Sequence, residues 1–271
     1  MNRHAEYVRC TLRPLGVEAT GLRPKLPRLE GIRAVVFDIY GTLLVSSAGG
    51  GFEEGEDPEG LPGFEKVFWS LVRQRHEERR SVGIAYPEID VREIRAETLR
   101  VLGKPVPDDE ELAFDVLVHE CRLHPVWVMP GADSVLEMLR ERGMRLGILS
   151  NAQCYTLPML EGLFVRSLDQ LGFHPRLRVF SFEEGEGKPS PRLFADLARE
   201  AAKLGVAPEE ILYVGNDFQK DIRPAQRAGF RTALFAGDAS SLRLGGIAEA
   251  EAVATADAVI THLGQIGEIL G

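Results

Sequence analysis

The stretch Arg33 to Leu44, RAVVFDIYGTLL, decides how the rest of the chain is read. Ala34, Val35, Val36 and Phe37 form a continuous apolar run rich in β-branched residues, the pattern of a strand buried on both faces of a parallel sheet. The run stops at Asp38. An acid directly after such a strand stands at its C-terminal edge, where open α/β sheets gather their ligands, and Gly41-Thr42 allow a tight turn with free backbone N–H groups.

Working outward, the same arrangement recurs. RLGILSNA, from Arg145, is a second apolar strand that stops at Ser150-Asn151, and Leu177 to Phe180 is a short third strand. GEGKPSPRLF follows, in which Ser190 suits a helix N-cap and Pro191 a first helical residue, placing Lys188 just ahead of a helix running to about Lys203. Ile211 to Val214 is a fourth strand, ending in Gly215 and Asp217, with Asp221 four residues further on. Thr232 to Phe235 and Ala258 to Ile260 add two more strands, and Leu263 to Leu270 a closing helix. The expected fold is α/β, a Rossmann-like doubly wound parallel sheet with helices on both faces.

The region between the first strand and Met129 breaks this rhythm. Residues 46 to 63, SSAGGGFEEGEDPEGLPG, offer glycine, acids and proline but little to pack, and read as a flexible connector. Helical periodicity follows in three segments, carried by Phe64, Phe68 and Val72, by Val91, Ile94 and Leu99, and by Leu112, Val116 and Leu123. The expected organisation is therefore an N-terminal extension over 1–30, an α/β core over 31–45 and 129–271, and a helical cap with its connector over 46–128. In the extension, Pro14, Pro24 and Pro27 argue against a helix, and an extended arm is expected, a mobile tail in preference to one that wraps the core or meets a partner subunit.

The 271 residues carry a formal net charge of −9, which argues against a general nucleic-acid or anionic-membrane surface. No apolar run is long enough to span a bilayer and the first residues lack a signal-peptide core, so a cytoplasmic protein is expected. Cys10, Cys121 and Cys154 are too widely spaced for a zinc site or a disulfide framework.

Asp38, Ser150, Lys188, Asp217 and Asp221 thus fall at or near strand ends on one edge of the sheet. Their chemistry is mutually consistent. Carboxylates at Asp38, Asp217 and Asp221 suit a hard cation such as Mg²⁺, Lys188 suits an anionic substrate, and Ser150 with the N–H groups near Thr42 suits substrate oxygens.

Together DxxGT at Asp38 to Thr42, SN at Ser150-Asn151, the lysine of ExGxxKPxPxxF at Lys188, and GNDxxxD at Gly215 to Asp221 resemble the four motifs of the haloacid dehalogenase (HAD) superfamily of hydrolases, over residues 31 to 271. The helical insert after the first motif is similar to that family's cap. The resemblance implies a nucleophilic Asp38 forming an aspartyl intermediate. It implies Mg²⁺ held by the Asp38 carboxylate, the Tyr40 backbone carbonyl and Asp217 with Asp221, and a small anionic substrate positioned by Thr42, Ser150, Asn151 and Lys188. One residue departs from the phosphatase pattern. Tyr40 stands where those enzymes have a second Asp that protonates the leaving group, and DxYGT is similar to the metal-independent 2-haloacid dehalogenases, whereas the retained Asp217 and Asp221 resemble the Mg²⁺-dependent phosphatases. The expected activity is hydrolysis of a small phosphate monoester. The alternatives are a dehalogenase, in which Tyr40 is tolerated because a halide leaves without a proton, and a metabolite-binding protein with little turnover.

Overall fold

The computed structural model describes residues 2–46 and 61–270. Most of the expected connector, residues 47–60, lies outside the described residues. The chain begins with α1 (Arg3–Thr11), β1 (Ala34–Phe37) and β2 (Leu44–Val45), and then enters three helices, α2 (Phe64–Ser81), α3 (Val91–Val101) and α4 (Asp109–Leu123). It returns through β3 (Trp127–Val128), α5 (Ala132–Glu141), β4 (Arg145–Ser150), α6 (Thr156–Phe164), β5 (Phe173–Phe180), α7 (Ser181–Glu184) and α8 (Pro191–Lys203). The last part is β6 (Ile211–Gly215), a π-helical turn over Phe218–Ile222, α9 (Arg223–Arg227), β7 (Arg231–Phe235), α10 (Glu249–Thr255), β8 (Ala258–Ile260) and α11 (Ile266–Ile269).

Six strands form one sheet in the order β5-β4-β1-β6-β7-β8, every neighbouring pair parallel. β1 lies between β4 and β6, where the strand order reverses direction, the place at which such sheets open a crevice for a ligand. Alternate residues of β1 face opposite layers. Val35 and Phe37 join the larger core with α5 and α6, while Ala34 and Val36 pack with Leu193, Phe194 and Leu197 of α8. All four are essentially inaccessible, which is why the run is apolar without alternation.

Two expectations needed correction. The β2 and β3 segments escape periodicity analysis because each is two residues long, yet they pair antiparallel, Leu44 with Val128 and Val45 with Trp127. This ribbon zips together the two chain crossings between the sheet and helices α2 to α4. The N-terminal extension is also no mobile arm. Its prolines all fall after Thr11, leaving Arg3–Thr11 free to form a helix capped by the Asn2 side chain, which accepts from Ala5 N–H at 2.9 Å. Ala5 and Val8 bury against Gly162 of α6, and downstream Lys25 pairs with Val259, covering the outer edge of β8. Leu12, Leu29 and Ile32 complete the main core. Among the described residues no helix is long and apolar enough to cross a membrane.

The α1–α6 contact is tight enough to test. A Cβ at Gly162 would lie 2.5 Å from the Ala5 carbonyl oxygen and 2.8 Å from Val8 Cβ. Gly162→Val is expected to cost about 1–3 kcal/mol by overpacking and to expose the N-terminal segment. Thermal unfolding and limited proteolysis measure both effects, and an unchanged cleavage pattern would show that α1 is not held by this contact.

Candidate active site

The turn after β1 is built by one acceptor. The Ile39 carbonyl takes hydrogen bonds from the N–H groups of Thr42, Leu43 and Leu44 at 2.8–3.1 Å, curling the chain back immediately beyond Asp38. Gly41 sits in this turn at φ 79°, and an added Cβ would meet Asn216 Cγ and Ser241 Cβ at 2.8 Å. Two later segments thus press on the first turn, where only glycine satisfies both the backbone angle and the space.

Asp38, only 7% exposed, faces Lys188 from the loop before α8. Lys188 Nζ donates to Asp38 Oδ1 at 2.7 Å, Asp221 Oδ1 at 2.6 Å and the Tyr213 hydroxyl at 3.3 Å, using all three of its donors. Burial works against the ammonium, but Asp221 and Asp38 on either side outweigh it and raise Lys188 above its ordinary value. Asp221 itself is pushed up to about 6 by burial, opposed by Lys188 and reinforced by Asp38.

Asp221 lies over Gly215, where a Cβ would come within 2.5 Å of its Cγ, and its Oδ2 accepts the Asp217 N–H at 2.9 Å. Asp217 caps the π-helical turn, its Oδ1 accepting from Gln219 and Lys220 N–H, both at 2.8 Å. Asp217 Oδ2, Asp38 Oδ2 and the Tyr40 carbonyl accept no hydrogen bond among the described residues. These three oxygens come from the elements that line one cleft, with Asn151, Lys188 and Asp221.

Other candidates do different work. Asn151 clamps the main chain of Lys188, its Oδ1 accepting from Lys188 N–H at 2.6 Å and its Nδ2 donating to the Lys188 carbonyl at 3.2 Å. Thr42 Oγ1 donates to Asn216 Oδ1 at 3.2 Å and is fully buried, and Ser150 Oγ has the Asn151 carbonyl at 3.4 Å, so both hydroxyls turn toward protein. The Tyr40 phenol shares a 2.7 Å hydrogen bond with Thr156 Oγ1 and lies by Met159 Sδ in α6. Burial, then the nearby Glu120 charge, push it well above 10 despite the bond to Thr156. That phenol joins the first-motif turn to α6 and is in no condition to exchange protons near neutrality.

Ser46, Lys220, Ser241 and Arg243, outside the roles the motifs assign, also line the cleft, together with Asn216 of GNDxxxD. Ser241 and Arg243 belong to the loop after β7. Their signal in the sequence is position, since they follow the C-terminal end of β7 on the same ligand-bearing edge as Asp38.

A haloacid dehalogenase-like hydrolase family description matches residues 32–229. The chain belongs to that family. Among curated members of this HAD-like family, it is 37% identical to a glyceraldehyde 3-phosphate phosphatase of Methanopyrus kandleri over 139 residues, 49% of this chain and 54% of that protein. It is 36% identical to a phosphoserine phosphatase of Thermus thermophilus over 135 residues, 50% of each. The chain therefore spans about half the length of these two HAD relatives. A solved 2-haloacid dehalogenase from Pseudomonas syringae pv. Tomato DC3000 superposes with a TM-score of 0.54 at 18% identity, covering 88% of this chain and 97% of that one, a likeness of fold.

Lys188→Met should leave Asp38 and Asp221 facing each other without a cation and cost about 3–5 kcal/mol near pH 8 in EDTA. Because Asp221 is already raised in the fold and the loss of Lys188 raises it further, its protonated form favours folding. The penalty should grow as pH rises through the folded value and disappear below the unfolded carboxylate value of about 4. Chemical denaturation from pH 4 to 8 reads this directly, and a pH-independent loss would show that the buried carboxylates are not responsible.

Proposed function

We propose that this protein is a Mg²⁺-dependent hydrolase of small phosphate monoesters that works through an aspartyl intermediate on Asp38. The observation that carries this reading is the set of unclaimed oxygens, Asp38 Oδ2, Asp217 Oδ2 and the Tyr40 carbonyl, beside a lysine held between two carboxylates. An all-oxygen donor set with few carboxylates suits Mg²⁺, which keeps much of its water shell. Asp38, Asp217 and the Tyr40 carbonyl would hold the ion, with Asp221 fixing Asp217 from behind. Bound there, Mg²⁺ supplies the positive charge that lets a phosphate dianion approach a carboxylate nucleophile.

The protein's own groups account for the rest. Lys188 orients Asp38 through Oδ1 and balances charge on the transferring phosphoryl group, and Asn151 positions Lys188 through its main chain. Asn151 also lines the cleft and reaches substrate oxygens from there. Thr42 supports Asn216, and Ser150 is buried at the end of β4 with its hydroxyl at the Asn151 carbonyl. Asp38 attacks phosphorus as the bond from phosphorus to the ester oxygen breaks, the departing alkoxide takes a proton from solvent water, and a second water then attacks the phosphoryl–Asp38 bond, releasing phosphate and giving its proton to solvent. The similarity to HAD phosphatases named for small phosphorylated compounds supports the substrate class. Helices α2 to α4 act as the cap.

One observation favours a second reading. The Tyr40 phenol is consumed by Thr156, so the first-motif turn offers no acid to a leaving alkoxide, and a halide needs none. A metal-independent 2-haloacid dehalogenase is that alternative.

The test is turnover of a panel of phosphate esters and 2-haloacids, with Mg²⁺ and with EDTA. Ester hydrolysis should require Mg²⁺, fall at least about 10³-fold in Asp38→Asn, and fall strongly in Asp217→Asn with weaker Mg²⁺ binding by calorimetry. Halide release that survives EDTA, with no ester turned over, would install the dehalogenase. Phosphate binding without turnover of either class would leave a binding protein.

A further inference from the structure

The cleft over Asp38 holds more cationic groups than the phosphoryl site uses. Lys188 is committed to Asp38 and Asp221. Two exposed cations also line the cleft, Lys220 on the π-helical turn and Arg243 on the loop after β7. Lys220 Nζ makes no hydrogen bond or ion pair among the described residues, and its charge reaches the half-buried Glu88 carboxyl, which desolvation raises against hydrogen bonds to Ile89 N–H and Ser181, the Arg79 charge and, least, Lys220.

Arg243 is held more firmly. Its main chain is paired on both sides of Asp217, with Arg243 N–H donating to the Asn216 carbonyl at 3.0 Å and Phe218 N–H donating to the Arg243 carbonyl at 2.8 Å. Asn216 Nδ2 also donates to the Ser241 carbonyl at 2.6 Å, tying the loop to the fourth motif a second time. In the guanidinium, Nη1 donates to the carbonyls of Ser240 and Leu242 at 2.7 and 3.1 Å, whereas Nε and Nη2 have no partner among the described residues. One nitrogen thus anchors the group and the Nε–Nη2 edge is left open. That edge carries two parallel N–H donors, a geometry matched to the two oxygens of a carboxylate. Asp38 and Asp217 line the same cleft, yet neither pairs with Arg243. The fork therefore remains available to a ligand.

We propose that Arg243, assisted by Lys220, binds a carboxylate on the alcohol portion of the substrate, so that the preferred esters are small phosphorylated carboxylic acids. The inference rests on the phosphomonoester reading above and deepens it. Asp38 is nearly buried while Arg243 and Lys220 are exposed, so the reacting phosphoryl group takes the inner position and the carboxylate the rim. Both anions are then held by groups joined through the main chain around Asp217.

The experiment compares two esters that differ in one group, 2-phosphoglycolate and ethyl phosphate, with a bisphosphate as a further arm. The wild type should favour the carboxylated ester by about tenfold in kcat/KM, mostly through KM, as a charge-assisted pair implies. Arg243→Gln should erase that ratio, Arg243→Lys should keep part of it by retaining charge without the fork, and Lys220→Gln should reduce it about threefold. Equal wild-type values for the two esters, a ratio that survives in Arg243→Gln, or a larger preference for the bisphosphate would overturn the proposal. Circular dichroism confirms that each variant is folded. Calorimetry in Mg²⁺ with phosphonoacetate and methylphosphonate repeats the comparison without turnover. If no ester is hydrolysed, the phosphomonoester reading fails by itself. Tighter phosphonoacetate binding that depends on Arg243 would still support the carboxylate site, and equal binding of the two phosphonates would overturn it.

Discussion

The ammonium of Lys188, buried between Asp38 and Asp221, is the interaction on which the rest of the site depends. It joins the ends of β1 and β6 to the loop before α8, three segments far apart in sequence. Removing two carboxylates and an ammonium from water costs several kcal/mol per ion, and the arrangement persists because each lysine donor and the inward carboxylate oxygens are satisfied. Much of the local architecture serves that condition. Gly215 leaves room for Asp221, Asn151 grips the main chain of Lys188, and Tyr213 supplies the third acceptor while bonding the Leu149 carbonyl at 2.8 Å.

Helices α2 to α4 are tied to the sheet in more than one place. The β2–β3 ribbon closes the two crossings, and the segment before α3 makes a second attachment close to the Lys188 loop. There Gly187 N–H donates to the Tyr86 carbonyl at 2.8 Å, Glu88 N–H to Gly185 at 3.1 Å, and Gln153 bonds both Val91 N–H and the Ile89 carbonyl. Lys188 follows Gly187 directly, so the segment leading into α3 and the Lys188 loop share a short ladder. Tyr40 belongs to the same theme. Its phenol fastens the first-motif turn to α6, in contact with Thr156.

The sheet was legible because its strands are buried on both faces and stop abruptly at polar residues, and the cleft-lining Asp38, Asn151, Lys188, Asp217 and Asp221 lie at or soon after those stops. The ribbon was not legible, since two residues carry no period. Nor was α1, a nine-residue helix that buries only Ala5 and Val8 in a segment whose prolines all lie beyond it. Arg243 was missed for another reason. Its role comes from main-chain pairing with Asn216 and Phe218, which leaves no trace in residue type or spacing.

The sequence by itself determined the layered α/β fold, the order of its strands along the chain and the carboxylates that stand at its strand ends, because burial, turn chemistry and strand-edge position are local properties of short stretches. Tertiary structure alone decided what those residues face. It directed Lys188 to two carboxylates at once, withdrew the Tyr40 phenol into a bond with Thr156, and left one edge of Arg243 open over the cleft. Each of these depends on which distant segment occupies the neighbouring space, and that is settled by packing the whole sheet and its cap.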